Sequence, residues 1–253
     1  MRPDSEKAYW LERDELVSDA PEAFFSFLGE RGHVVSLVGG GGKSTLMNYM
    51  ASCCAAKGLR AAAMTTTRIQ RPENPCLTFQ DCCRSWAAGK YAACGRETEE
   101  GKFRQPDDEL LHALLKNADA VVIEADGAKR MACKAPSDKE PVILPESDIV
   151  VGVMGLEVLG KRVGDVCFRL EQVCALLGCD EDHLLTEEDM TTILLHEAGT
   201  KKSVGSRAYY IVLNKCDDAL RLEAGKRILL ELRKKGHERA ALMYFPPKRR
   251  AES

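Results

Sequence analysis

The sequence lacks any long apolar run and any strong excess of one charge. No run of about 18 apolar residues occurs, so the sequence predicts no membrane-spanning helix. The first residues are acidic and polar instead of basic and then apolar, so we expect no secretory signal and a cytoplasmic location. A net charge of −3 gives no electrostatic reason to expect nucleic acid or an anionic membrane as a partner. We interpret the basic run at 248–250 as a solvated terminus.

Cysteines at the Cys-x-x-Cys spacing are also missing from the sequence. The eleven cysteines include no Cys-x-x-Cys pair and their number is odd, which argues against a disulfide framework and against a structural zinc site. We expect reduced thiols that serve mainly as small core residues and react slowly. A metal or redox role for Cys76, Cys82, Cys83 and Cys94 remains open as an alternative.

Glycine, by contrast, is concentrated at one place in the chain. The apolar, β-branched run 34–38 predicts a strand, and an alanine-rich segment at 46–57 predicts a helix. Strand, glycine turn, Lys-Ser and helix is the layout of a phosphate-binding loop. The residues between the strand and the helix are Gly39, Gly40, Gly41, Gly42, Lys43, Ser44 and Thr45.

The residues of such a loop have separate roles in binding a nucleotide. The backbone N–H groups of Gly40 to Lys43 and the helix N-terminus hold phosphates, Lys43 reaches the outer phosphates, and the Ser44 hydroxyl ligates Mg²⁺. The first glycine, Gly39, lies four residues before Lys43, whereas the common pattern places it six before. This spacing resembles the loop of the Mur ligase-like ATP-binding proteins. A glycine hinge with an incidental lysine is the alternative.

A threonine run follows the second predicted strand, 59–64. Strand, crossover helix and parallel strand begin a doubly wound sheet, in which ligands bind at the C-terminal ends of the strands. We therefore expect the hydroxyls of Thr66 and Thr67 beside the phosphate loop, where they contact Mg²⁺ or the terminal phosphate. An ordinary threonine-rich turn is the alternative.

Two carboxylates follow the third strong strand, 118–125. Glu124 and Asp126 alternate along an extended chain, so they point the same way. An apolar strand ending in an acid is typical of a Walker B element, which places a carboxylate next to the Mg²⁺ of the phosphate loop. We assign Mg²⁺ to Ser44 and Asp126, with Glu124 as the other acid, and expect Lys43, Asp126 and Glu124 to be the catalytic residues.

A late strand, 209–213, ends in Asn214-Lys215-Cys216-Asp217. This matches the Asn-Lys-x-Asp signature of many GTPases, in which the aspartate accepts from guanine and the asparagine positions the loop. Asn214, Lys215 and Asp217 are therefore predicted to bind the base and to favour GTP slightly. The shortened phosphate loop points instead to ATP, and a turn that caps the next helix is a further alternative.

The predicted fold is α/β, with a doubly wound, mostly parallel sheet of the P-loop NTPase type. We expect residues 1–32 to form a helical N-terminal extension and residues 33–253 a single nucleotide-binding domain with an irregular insertion at about 69–106. Further helices are predicted at 107–117, 170–177, 186 to about 199 and 218–235, and further strands at 148–154 and 240–245, the last closed by prolines at 246 and 247.

Six segments point to a known family when they are taken together. They are the phosphate loop, the threonine run, Glu124-Ala125-Asp126-Gly127-Ala128-Lys129-Arg130, Lys134-Ala135-Pro136 with Glu140-Pro141, Gly155-Leu156…Leu159-Gly160-Lys161, and Asn214 to Asp217. The chain resembles the YqeC family of selenium cofactor biosynthesis or selenium-dependent hydroxylase accessory proteins. It departs in its uninterrupted glycine run and in one extra residue after Pro141.

The resemblance implies an accessory protein that uses a nucleotide in maturing selenium-dependent molybdenum hydroxylases. A molybdenum hydroxylase or other selenium-cofactor maturation proteins are then its expected partners. The leading hypothesis is a Mg²⁺-dependent slow NTPase that uses ATP or GTP. One rival is an ATP-dependent ligase or kinase acting on a small acid or cofactor, and another is a nucleotide-gated carrier of metal or selenium without turnover.

Overall fold

Short apolar runs of this chain become strands, and the alanine- and leucine-rich segments between them become helices. The computed structural model describes residues 5–246, so the basic run at 248–250 and the second of the two closing prolines lie outside the described residues. The strands are β1 (Lys7–Glu12), β2 (Glu15–Asp19), β3 (His33–Gly39), β4 (Ala61–Thr65), β5 (Arg68–Gln70), β6 (Pro75–Cys76), β7 (Ala92–Cys94), β8 (Arg96–Glu97), β9 (Lys102–Arg104), β10 (Ala120–Glu124), β11 (Cys133–Lys134), β12 (Ile149–Gly155), β13 (Cys167–Phe168), β14 (Ala208–Asn214) and β15 (Ala240–Tyr244). The α-helices are α1 (Pro21–Phe24), α2 (Lys43–Ala56), α3 (Phe79–Ala87), α4 (Asp108–Asn117), α5 (Val163–Val166), α6 (Leu170–Leu177), α7 (Glu187–Leu195) and α8 (Ala219–Lys234), with 3-10 turns at Ser26–Gly29 and Leu156–Val158.

A ten-stranded sheet forms the centre of the protein. Its strand order is β2-β1-β15-β14-β12-β3-β10-β4-β7-β6. All neighbours from β15 to β6 are parallel, and β1 pairs antiparallel with both β2 and β15. The predicted α/β class with a mostly parallel sheet is confirmed.

Helices cover both faces of this sheet because successive side chains of a strand point to opposite faces. On one face, Val35 and Leu37 of β3 belong to the core that contains Met50 of α2. On the other face, Ile123 of β10 packs in the core with Leu114 of α4. The strands are apolar on both sides, as a doubly wound sheet requires. None of the helices in residues 5–246 combines the length and apolar character needed to cross a bilayer.

The N-terminal segment differs from the predicted helical extension. Residues 7–19 form a β-hairpin whose two-residue turn, Arg13 and Asp14, has positive φ at both positions (49° and 68°), as type I′ hairpin turns require. Only Pro21–Phe24 and Ser26–Gly29 are helical. The hairpin is favoured because β1 pairs along β15 and extends the parallel sheet at that edge.

The insertion at about 69–106 contains more regular structure than the sequence indicated. β6 and β7 extend the main sheet, and β5, β9 and β8 form a small antiparallel sheet. Helix α3 was not predicted, although Thr78 and Asp81 form a capping box at its start.

Other boundaries agree with the sequence or shift by a few residues. Helix α6 spans Leu170–Leu177 as predicted, and Gly178 ends it in a left-handed conformation. Helix α7 follows its Thr186 cap but ends at Leu195, before Gly199, because the chain turns back and Thr200 N–H bonds to Ile193 O at 2.9 Å.

Candidate functional site

The predicted site residues lie where the central parallel strands end. β3 lies between β10 and β12, so the loop after Gly39 is flanked by the ends of both neighbours, at Glu124 and at Gly155. Asn214 pairs with Gly155 in register at the end of β14. The topology therefore brings the phosphate loop, the acidic strand end and the first residue of the Asn-Lys-x-Asp motif together at the C-terminal ends of the central strands.

Close approach of neighbouring chain segments explains why the loop consists of glycines. A Cβ at Gly41 would lie 2.3 Å from Gly155 N, and a Cβ at Gly42 would lie 2.3 Å from Asn214 Nδ2. Both glycines also have positive φ, 79° and 122°. The uninterrupted glycine run thus fits the narrow space that this loop occupies.

Part of the loop is held by protein carbonyl groups. Gly40 N–H donates to Val153 O at 2.8 Å, and Gly41 N–H donates to Met131 O at 3.1 Å. Asn214 Nδ2 donates to Gly41 O at 2.8 Å. These bonds fix the path of the loop, and they engage two of the N–H groups that were predicted to hold phosphate.

The start of α2 offers the remaining N–H groups. Within residues 5–246, the backbone N–H groups of Gly42, Lys43, Ser44 and Thr45 donate to no acceptor. They are the first donors of a 14-residue helix, where the positive end of the helix dipole lies. Ser44 and Thr45 are exposed to solvent. This helix end can therefore receive a phosphate group.

Lys43 is buried, with only 4% of its surface exposed. Its Nζ donates to Gly39 O at 2.5 Å and lies 3.1 Å from Asp126 Oδ1 and 3.8 Å from Glu124 Oε1. Lys43 therefore bends back over the loop toward the two carboxylates of the acidic strand end.

The two carboxylates have different partners. Glu124 Oε2 accepts from the Ser44 hydroxyl at 2.6 Å. Asp126 Oδ2 accepts from Gly39 N–H at 3.0 Å and lies 3.2 Å from Lys134 Nζ. Asp126 thus ties the start of the loop to a buried cation, while Glu124 faces the hydroxyl predicted to bind metal.

Hard oxygen donors at this point suit Mg²⁺. Mg²⁺ in phosphate sites usually takes one or two carboxylates and completes its octahedron with phosphates and water. A serine hydroxyl and the Glu124 carboxylate in contact supply two such donors. Burial raises the pKa of Glu124, with Lys43 and Ser44 opposing that effect. A cation at this carboxylate would offset the cost of burying its charge.

A buried lysine that sequence reasoning did not assign to the site lies beneath it. The Lys134 side chain is fully buried, and its Nζ donates to Gly127 O at 2.7 Å and to Glu140 Oε2 at 3.1 Å. Burial opposes ionisation of Glu140, but Lys134 and Arg169 outweigh it and lower the pKa of Glu140. The only sequence signal for Lys134 was its place in the family-specific block, because a lysine in a loop is normally solvated.

The threonine run bonds to the end of β10 and to a neighbouring loop. Thr65 Oγ1 donates to Glu124 O at 2.9 Å and Thr66 Oγ1 donates to Val142 O at 2.8 Å. Thr67 Oγ1 lies 3.2 Å from Thr65 Oγ1. The structure therefore places the run next to the acidic strand end, with the Thr66 hydroxyl engaged by a backbone carbonyl.

The Asn-Lys-x-Asp residues are divided among three contacts. Asn214 Nδ2 donates to Gly41 O of the phosphate loop, and Lys215 Nζ lies 2.7 Å from Glu157 Oε1. The Asp217 carboxylate accepts from the Arg221 guanidinium one helical turn later. The cap of α8 is Asp218, which accepts from Arg221 N–H at 2.8 Å.

Three of the four cysteines in the insertion come together. Cys76, Cys82 and Cys94 are buried, and Cys82 Sγ lies 3.5 Å from Cys94 Sγ, whereas Cys83 is exposed. All eleven cysteines are free thiols. Burial raises the pKa of Cys54 to about 11, in keeping with an unreactive thiol. Within the described residues, no group of three or more His, Cys, Asp or Glu side chains has the geometry of a metal site.

Comparisons with known proteins identify relatives of the chain. A sequence model of the YqeC protein family matches residues 35–171, more than half of the chain. The curated "Uncharacterized protein YqeC" of Escherichia coli strain K12 is 30% identical over 226 residues, which cover 79% of this chain and 84% of that protein. Among solved structures, HypB from Helicobacter pylori in complex with nickel aligns over 86% of this chain and 94% of its own, at 14% identity and a TM-score of 0.32.

Proposed function

The chain belongs to the YqeC family, and from this premise and the geometry of its phosphate loop we propose that it is a Mg²⁺-dependent nucleotide-binding protein that slowly cleaves or transfers the terminal phosphate. One observation carries the proposal. The free N–H groups at the start of α2 lie beside Lys43 and beside the 2.6 Å contact of Ser44 with Glu124. Phosphate donors, a cation and metal-binding oxygens therefore share one helix end.

Each residue of the site has a role in this proposal. The N–H groups of residues 42–45 hold the phosphates of the nucleotide, and Lys43 turns from the carboxylates to the phosphate oxygens. Ser44 and Glu124 would hold Mg²⁺, which neutralises phosphate charge when it is bound. Asp126, buried between Lys43 and Lys134, fixes the start of the loop. The sequence analysis assigned Mg²⁺ to Ser44 and Asp126 with Glu124 as the other acid, whereas this proposal makes Glu124 the metal-binding carboxylate and Asp126 the one that positions the loop.

We extend the proposal to the maturation of selenium-dependent molybdenum hydroxylases. The support is the resemblance carried by the Glu124 to Arg130 block and by Lys134-Ala135-Pro136. These segments supply Glu124, Asp126 and Lys134 to the site. A molybdenum hydroxylase or another selenium-cofactor maturation protein is the proposed partner. Both ATP and GTP remain candidate ligands, because Asn214 contacts the phosphate loop while the carboxylate of Asp217 binds Arg221.

A calorimetric titration with Mg²⁺-ATP and Mg²⁺-GTP, followed by a phosphate-release assay, tests the proposal. We expect the wild type to bind at least one triphosphate. Lys43→Gln should lower that affinity by about tenfold or more, because it removes a charge-assisted hydrogen bond to phosphate. Lys57→Gln, an exposed lysine at the other end of α2, is the matched control and should leave affinity unchanged. Failure of the wild type to bind either triphosphate would refute the proposal.

A further inference from the structure

Three cations surround one aromatic ring next to the phosphate loop. The ring centroid of Phe168 lies 5.3 Å from Lys129 Nζ, 5.5 Å from Lys134 Nζ and 4.7 Å from Arg169 Cζ. Phe168 holds this position because β13 pairs with β11, with Phe168 opposite Lys134. We refer to Phe168, Lys129, Lys134 and Arg169 as the Phe168 cluster.

The charges of the Phe168 cluster are only partly balanced. Lys134 is fully buried and pairs with Asp126 and Glu140, so its charge is neutralised inside the protein. Arg169 shares Glu140 at 3.3 Å. Lys129 and its neighbour Arg130 are exposed and have no ion-pair partner in the described part of the chain. Positive charge thus remains at the solvent side of the cluster.

The backbone at these cations adopts a conformation that glycine would occupy more easily. Lys129, Arg130 and Arg169 have φ values of 45°, 66° and 65°, in the left-handed region. Such a conformation is unfavourable for a residue with a Cβ, and it is typical of functional sites. Lysine or arginine therefore occupies three positions whose backbone conformation costs free energy for any residue that has a Cβ.

The segment that carries Lys129 and Arg130 contacts the phosphate loop directly. The next carbonyl groups along the chain, those of Met131 and Ala132, accept from Gly41 N–H at 3.1 Å and from Gly155 N–H at 2.9 Å. A Cβ at Gly40 would lie only 2.7 Å from Met131 O. Any molecule bound by these cations would therefore lie close to the phosphates of a bound nucleotide.

We propose that Lys129, Arg130 and Arg169 form a second anion site, which binds a carboxylate or phosphate group of a molecule other than the nucleotide. This inference rests on the proposed function, since the phosphate loop supplies the nucleotide that lies beside the site. Guanidinium groups bind carboxylate and phosphate through paired hydrogen bonds, and the Lys129 ammonium adds a further donor. The Phe168 ring packs against Lys129 and Arg169 from one side. Arg169 Nε donates to Glu140, so the terminal guanidinium nitrogens of Arg169 and the Lys129 ammonium are the donors for the ligand.

The same oxyanion chemistry could come from the terminal phosphate of the nucleotide, and the experiment separates the two sources. The protein is first saturated with Mg²⁺ and a non-hydrolysable triphosphate, which fills the phosphate loop. Inorganic phosphate is then titrated as the probe and its binding followed by calorimetry. The test variant is Lys129→Gln with Arg130→Gln, which keeps the side-chain stems. The control is Lys90→Gln with Lys116→Gln, two exposed lysines near α3 and α4 that carry the same change in charge.

We expect phosphate to bind to the saturated wild type and control, with affinity lowered about tenfold or more in the test variant. The triphosphate affinity should stay within about twofold in all three proteins. Equal phosphate affinity in test variant and control would overturn the second site. A tenfold loss of triphosphate affinity in the test variant would overturn it too, because the cations would then serve the nucleotide.

Failure of the proposed function gives a different result. If the wild type binds no triphosphate, the phosphate titration is repeated without nucleotide on proteins that also carry Lys43→Gln, which disables the phosphate loop. Phosphate binding that still depends on Lys129 and Arg130 would support the anion site and refute only the nucleotide proposal. Loss of that dependence would refute the anion site as well.

Discussion

At the scale of single residues, the site is a buried series of alternating charges. Lys43 contacts Glu124 and Asp126, Asp126 contacts Lys134, and Lys134 contacts Glu140. Buried charges are tolerated only when they are paired, so each member of the series offsets the cost of burying its neighbour. The sequence identified the first three residues through their motifs. It could not identify Lys134 and Glu140 as part of the series, because their pairing depends on a loop that returns to the strand end.

Glu140 offers a test of this series through pH. Its folded pKa is lowered, so its ion pairs stabilise the protein above the ordinary value of 4.5 and are lost as pH falls through the lowered pKa. Glu140→Gln should lower the free energy of unfolding by roughly 1.5–3 kcal/mol at neutral pH. The gap to the wild type should close as pH falls below 4.5.

Urea unfolding at a series of pH values measures that gap. Glu146→Gln provides the baseline, since Glu146 is exposed and has no ion-pair partner among the residues that the structure describes. A gap between Glu140→Gln and wild type that is constant from neutral to acid pH would contradict the assigned ion pairs.

At the scale of elements, the phosphate loop fits against β12 and β14 with no space for a side chain. Gly42→Ala places a Cβ 2.3 Å from Asn214 Nδ2 at a φ of 122°, so both a clash and backbone strain result. Gly58→Ala is the matched control, because Gly58 has a φ of 80° and no atom lies within 4 Å of the position that a Cβ would take there. We expect Gly42→Ala to destabilise the protein more than Gly58→Ala, by about 1–3 kcal/mol.

A double-mutant cycle separates the clash from the strain. Combining Gly42→Ala with Asn214→Ala should recover part of the lost unfolding free energy, since it removes the atom that the new Cβ meets. Chemical unfolding of the four proteins gives the coupling. If the losses of the two single variants simply add, the close approach of Asn214 to the loop is wrong.

Asp217 tests whether the turn before α8 reads the base. In the guanine reading, the carboxylate accepts from guanine N–H groups, and Asp217→Asn should lower the preference for GTP by about tenfold to a hundredfold. Because Asp217 binds Arg221, we expect a smaller change, with the ratio of GTP to ATP affinity shifting less than about threefold. Competition between the two triphosphates measures the ratio. A loss of GTP preference near a hundredfold would restore the guanine reading.

At the scale of the whole molecule, the sequence predicted the parallel sheet and the strand ends that carry the site. β3, β10, β12 and β14 are apolar almost throughout, and such runs identify buried parallel strands without tertiary information. The N-terminal hairpin was missed because β1 joins the central sheet by pairing with β15, which lies at the other end of the chain. Local periodicity contains no information about such a pairing.

The partners of individual site residues could not be predicted from the sequence either. Glu124 and Asp126 alternate along the chain and were expected to point toward the same region, where Lys43 now contacts both. Their other partners differ because Gly39 N–H and Lys134 both approach Asp126, whereas Ser44 approaches Glu124. Which carboxylate meets the serine follows from the position of α2 over β10, and that position is a property of the folded protein.

The most direct test of the central claim is nucleotide affinity with and without Mg²⁺ in wild type, Glu124→Gln and Asp126→Asn. We expect Mg²⁺ to raise the nucleotide affinity of the wild type. Glu124→Gln should lower the affinity measured with Mg²⁺ by about tenfold or more, which removes this gain, and should leave the affinity measured without Mg²⁺ unchanged. Asp126→Asn should weaken binding under both conditions, because it loosens the loop at Gly39. A Mg²⁺ gain that survives in Glu124→Gln and disappears in Asp126→Asn would contradict the account.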